Sequence, residues 1–166
     1  MLVKRAATLQ QTLALKAVPP NGTAWHHLLL QGLPYGSLRS VAKTLGMKEA
    51  ELAAHLGLKG SQLAARKRAR RLQAAESNTL YVMALAYVKL AGFKSPEEAR
   101  ALMTSPCEAL KGARPIDFLR TRIGAEYVMI AIDRMRPAPA LPRRVVEEEE
   151  EQEEELRKLQ SDLTFA

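Results

Sequence analysis

The densest set of chemically active side chains lies at residues 59–71. Lys59, Ser61, Gln62, Arg66, Lys67, Arg68, Arg70 and Arg71 fall there, and five of the six positions 66–71 are basic. Such a set makes and breaks no bonds; it suits a polyanion. Gln can pair with adenine through two hydrogen bonds, Arg can grip guanine or phosphate, and a row of Lys and Arg holds a nucleic-acid backbone in register. Lys59, Ser61, Gln62, Arg66, Lys67 and Arg70 are therefore the expected DNA contacts, with Arg68 and Arg71 extending the positive stripe. Gly60 lowers the helix propensity where this segment begins.

Catalytic alternatives are thin. His26 and His27 are adjacent, so on a helix they point to different faces and chelate poorly. His55 has no acid of obvious purpose near it in sequence. Cys107 is the one cysteine, follows a potential helix cap that would favour its thiolate, and lacks a His at suggestive spacing. Glu97 and Glu98 are explained by capping. No phosphate loop, nucleotide fingerprint or zinc spacing is present. The expectation is a binding protein that is no enzyme and takes no metal or cofactor.

Charge points the same way. Residues 1–146 hold 23 Lys/Arg against 9 Asp/Glu, whereas residues 147–166 hold 2 against 9. A basic body suggests nucleic acid as partner. The acidic run 147–155 reads first as a solvated or frayed segment; the sharper alternative is that it competes with DNA for the basic body or docks on a basic partner. A single cysteine excludes an internal disulfide and fits a reducing cytoplasm. The apolar run 80–90 includes Lys89 and falls short of the roughly 20 residues of a membrane span, and the N-terminus has no signal-like apolar stretch.

The elements positioning these residues read as helices throughout, since the chain is rich in Ala and Leu and poor in aromatics. Helices are expected over 2–17, from a Thr23 cap through Trp25, Leu28, Leu29 and Leu30, over 36–45, over 48–56 and over 60–68. The last two, joined at Gly57-Leu58-Lys59, form a helix-turn-helix pattern. Residues 77–91 are apolar on nearly all sides, as in a buried central helix. Ser95-Pro96-Glu97-Glu98 is a capping box, and Ser105-Pro106-Cys107-Glu108 repeats the signal. Pro115 opens a short turn, and Thr121 caps a helix to Met135 whose expected inward face is Ile123, Tyr127, Val128, Ala131, Ile132 and Met135. Residues 136–142 are a Pro-rich linker. Leu156, Leu159 and Leu163 allow one more helix.

Residues 105–135 resemble the C-terminal toxin-binding domain of the Xre/MbcA/ParS-type antitoxins. The resemblance rests on Pro106, Ala109, Leu110, Gly112, Pro115, Phe118, Leu119, Gly124, Val128, Arg134 and Met135. Upstream, Gly32-Leu33-Pro34, Leu38, Leu45-Gly46, Leu52, Leu56-Gly57-Leu58 and Leu63 resemble the Xre-like helix-turn-helix domain that precedes it. The resemblance implies an all-α chain with that DNA-binding domain over 1–72, a toxin-binding domain over 73–136 and a linker with acidic tail over 137–166. It implies a cytoplasmic antitoxin that covers the active-site entrance of a RES-domain, NAD-consuming toxin. As a homodimer or within a larger toxin–antitoxin complex, it would repress its own operator. The implied toxin-binding positions are Gly112, Arg114, Pro115, Phe118, Gly124, Val128, Arg134, Met135 and Arg136, with Arg134 and Arg136 giving the last helix a cationic end. A free-standing helix-turn-helix regulator, an antitoxin with a decayed DNA face, and a small enzyme using Cys107 are the alternatives.

Overall fold

The computed structural model describes residues 8–138. Regular structure among them is helical, as expected of an all-α chain, and pairing of extended backbone is limited to isolated antiparallel bridges, Pro34 with Arg71 and Cys107 with Ala113. Residues 8–136 form one compact unit. The acidic run and the leucines at 156–163 lie outside the described residues.

Helix α1 (Leu9–Thr12) starts at a Thr8–Gln11 capping box and ends before the expected residue 17, while residues 2–7 of that expected helix lie outside the described residues. It stops because Ala14 turns left-handed, with φ of 50°. The turn drops Leu13 fully into the core. Its carbonyl accepts the Ser37 hydroxyl at 2.6 Å. Helix α2 (Gly22–Gln31) is capped by Asn21 rather than Thr23, the Asn21 Oδ1 accepting the Ala24 N–H at 2.9 Å. Helices α3 (Tyr35–Leu45), α4 (Glu49–His55) and α5 (Gly60–Ala69) follow. The basic stretch after α5 is not a helical bridge to the next element. Arg70 turns left-handed and ends α5, so helix α6 (Ala74–Ala91) begins anew with Gln73 as its cap.

Helix α6 is the centre of the unit, as its sequence suggests. Leu80, Met83, Ala84, Ala86, Tyr87 and Leu90 are buried along it. It packs against α1, α2, α3, α7 (Pro96–Thr104) and α9 (Arg122–Met135). One core therefore runs from Leu13 through Leu38 and Leu52 to Ile116, Val128 and Ile132. Removing a side chain such as Leu80 down to alanine costs about 2–5 kcal/mol in such a setting. The expected division between residues 72 and 73 crosses this core. Leu72 is buried and its N–H donates to the Leu33 carbonyl at 2.9 Å, while the Leu33 N–H donates to the Ser77 hydroxyl at 2.7 Å. Whatever separates the two halves is surface chemistry rather than packing.

The Ser95 capping box starts α7 as its sequence requires. Its apparent repeat does not start a helix: Ser105 ends α7 instead. The Cys107 N–H donates to the Ala113 carbonyl at 3.0 Å and the Gly112 N–H to the Cys107 carbonyl at 2.9 Å. These bonds close a tight loop holding one 3-10 turn, Glu108–Leu110, which delivers Leu110 to the core. Helix α8 (Pro115–Phe118) leads into α9.

Candidate functional site

The helix-turn-helix pair is α4 and α5. Leu58 between them is buried and its N–H donates to the Ala53 carbonyl at 2.9 Å, which fixes the turn. Leu63 anchors α5 on the core. Lys59, Ser61, Gln62, Ala64, Lys67, Arg68 and Arg70 are exposed, so five of the six expected DNA contacts face solvent. Arg66 does not. Its Nε donates to both oxygens of the buried Glu76 at 3.0 Å, and Glu76 also accepts the Gln73 N–H at 2.8 Å. Arg66 thus ties α5 to α6, and the charge on Glu76 is why it turns inward. Gln62 is partly committed too, since its Oε1 accepts the Lys59 N–H at 2.9 Å at the start of α5. Its amide nitrogen stays free to donate. Arg71 reaches back to the Gln31 carbonyl at 3.2 Å.

Sequence reasoning missed a polar cluster beside this pair. The Tyr35 hydroxyl donates to Glu49 Oε2 at 2.7 Å and Arg39 Nε donates to Glu49 Oε1 at 3.0 Å. Burial, then the bond to the anionic Glu49, pushes the Tyr35 phenol up to about 12. The same bond, against a smaller effect of burial, holds the Glu49 carboxyl below its ordinary value.

The second face is built on α9. The Thr121 hydroxyl accepts the Gly124 N–H at 3.1 Å and caps the helix. Gly124 is buried, and a Cβ there would run into the Phe118 carbonyl, so only glycine lets α9 approach α8 this closely. That contact sets the rotation of the helix. Gly124, Val128, Ala131 and Ile132 turn inward. Ile123 and Tyr127, expected inside, are instead 68% and 61% exposed, and Ile130 is 51% exposed. With Arg134 they make one stripe at helical spacing. Tyr127 separates two shallow depressions. One, of about 350 Å³, is lined by Phe118, Ile123 and Gly124 among others; the second, of about 300 Å³, by Ala109, Ile130, Arg134 and Met135.

The residues expected to bind toxin sort accordingly. Pro115, Gly124 and Val128 are buried and position the face. Gly112 is exposed at the left-handed turn of the preceding loop. Arg114 is exposed but paired with Asp117 at 2.8 and 3.0 Å. Phe118 and Met135 are half-buried at the depressions, Arg134 is exposed on the stripe, and Arg136 lies 5.8 Å above the Phe93 ring. A second apolar phase on α9, at Ile123, Tyr127 and Ile130, was the signal available for the residues missed.

His55, at the end of α4, does have an acid beside it: Nδ1 lies 3.4 Å from Asp117 Oδ1. Burial outweighs that carboxylate and lowers the imidazole pKa. Cys107 is half-buried, and His26 and His27 are exposed. Among the described residues no group of His, Cys, Asp and Glu is placed to hold a metal ion, and no helix is long and apolar enough to cross a membrane.

The described residues thus form a compact helical unit whose helix α9 presents an exposed apolar stripe. Residues 91–137 match the family model described as the antitoxin Xre/MbcA/ParS C-terminal toxin-binding domain. That segment is thus similar to the toxin-binding domain of these antitoxins, which supports an antitoxin role in a toxin–antitoxin pair. No curated protein matches the chain.

Proposed function

We propose that the protein neutralises a RES-like, NAD-consuming toxin through the α9 face and represses its own operator through α4 and α5. The observation that carries the first half is the exposed stripe Ile123–Tyr127–Ile130 within the segment matched to a toxin-binding domain. Apolar side chains left in water on a helix that has a well-packed inner face are most simply explained by a partner that covers them. Tyr127 and Arg134 have the side chains that most often dominate such interfaces. Lys59, Ser61, Gln62, Lys67, Arg68 and Arg70 supply the DNA contacts, with Ser61 and Gln62 nearest the start of the reading helix. Two copies of the chain would present two such helices to a two-fold operator. The protein acts by binding, without catalysis, in the cytoplasm.

The test is co-expression with the product of the neighbouring gene, followed by co-purification and an NAD-consumption assay. Wild type should capture and silence the toxin. Tyr127→Asp should lose capture by at least about 100-fold, the scale of a buried interface anchor, with an unchanged thermal midpoint. Full capture by that variant would overturn the assignment of this face.

A further inference from the structure

The Glu49 cluster joins three helices at one surface patch. Tyr35 and Arg39 lie one turn apart on α3, and Glu49 is the first residue of α4. Both carboxylate oxygens are occupied, Oε2 by the Tyr35 hydroxyl and Oε1 by Arg39. The Arg39 guanidinium also sits 5.9 Å above the Tyr35 ring. Lys67 of α5, an exposed member of the basic stripe, is close enough to stabilise the same carboxylate. The Arg39–Glu49 pair is open to water, with side chains 60% and 34% exposed. Such pairs are weak and exchange readily for another anion. The Arg66–Glu76 bracket is different, since Glu76 is buried and its loss would disturb the fold.

We propose that Glu49 is a built-in competitor for phosphate, holding Arg39 and the field of Lys67 back from nucleic acid and so limiting the sequence-independent grip of the helix-turn-helix face. A phosphate arriving beside α5 competes for Arg39 with a carboxylate already bonded to its Nε. Neutralising that carboxylate hands Arg39 to the DNA as one more phosphate contact. This rests on reading α5 as the DNA-facing helix.

The probe is a 30-base-pair duplex of unrelated sequence, titrated by fluorescence anisotropy across a salt series. Glu49→Gln keeps a partner for the Tyr35 hydroxyl and removes the charge. It should tighten binding by roughly three- to five-fold at low salt and steepen the salt dependence by about 0.9, the value of one phosphate contact. Arg39→Ala should change little in the native background and should abolish the gain in the Glu49→Gln background. A merely structural role for Glu49 would move the thermal midpoint and leave the salt slope alone. The proposal is overturned if Glu49→Gln leaves the slope unchanged, or if Arg39→Ala weakens binding equally in both backgrounds. Absence of binding by wild type and Glu49→Gln alike would overturn the DNA reading itself, and with it this one. Binding by Glu49→Gln alone would support both.

Discussion

The two faces of this molecule are built on opposite plans. On the α4–α5 side, polar groups are answered inside the protein: Arg66 by Glu76, Arg39 by Glu49, and the Gln62 side-chain oxygen by the Lys59 N–H. What remains outward is a set of loosely held cations and small polar groups. On the α9 side the inner surface is packed to the limit of close approach at Gly124, while the outer surface leaves Ile123, Tyr127 and Ile130 exposed and uncovered by any of the described residues. The contrast suits two different kinds of partner. A polyanion is held by many weak, salt-sensitive contacts that need little precision. A protein partner is held by a few apolar anchors whose placement must be rigid.

The contrast breaks hardest where the rigid face is loosened. Gly124→Ala puts a Cβ against the Phe118 carbonyl, and backbone must move to admit it. The expected loss is about 2–3 kcal/mol in urea denaturation, within the range for strained or overpacked sites. Partner capture should fall with it, because the rotation of α9 that exposes Tyr127 depends on that contact. On the α4–α5 side no outward residue should matter as much to folding. A Gly124→Ala protein of wild-type stability would mean that the α8–α9 approach is not what fixes the face.

A second comparison lies within α5. Arg66 and Arg68 are two residues apart and carry the same charge, yet one is bracketed by a buried carboxylate and the other is free in solvent. Arg66→Ala should lower the thermal midpoint and leave the salt slope for duplex binding almost as it was. Arg68→Ala should do the reverse, leaving the midpoint unchanged and flattening the slope by about 0.9. Equal effects on the slope would show that Arg66 leaves Glu76 when DNA is bound.

The sequence reveals the helices far better than their rotations. Helix α6 announces itself because its apolar residues need no particular phase. Helix α9 misleads because it carries two apolar phases, and a glycine adds nothing to either. The choice between them is made by how closely α8 can approach, a tertiary contact that no periodicity records. The Ser105 signal fails for a related reason: capping chemistry at Ser105 and Glu108 is outweighed by the bridge between Cys107 and Ala113. Among the site residues, the exposed cations on α5 were legible from spacing. The inward turn of Arg66 was not, because Glu76 lies ten residues on, beyond a break in the helix.

The smallest expected effect concerns the point where the two sides meet. His55 ends α4 on the α4–α5 side, and Asp117 opens onto the depression beside Ile123 and Tyr127 on the other. Burial lowers the imidazole pKa; Asp117 and Glu51 oppose that, while Arg114 and Arg120 reinforce it. The folded pKa therefore lies below the unfolded value of about 6.5. The unfolded chain takes up the proton first as pH falls, so this residue's contribution is whole above about 6.5 and is lost through the folded pKa. The carboxylates of Glu49, Glu98 and Asp117, all lowered by their hydrogen bonds, extend the loss toward more acid pH. Urea midpoints should thus decline from pH 7 to pH 5, and His55→Gln should flatten that first part of the decline while leaving the acid part intact. A decline of unchanged steepness in His55→Gln would place the sensitivity on the carboxylates alone. The junction between the two faces would then be a packed contact without a titrating group.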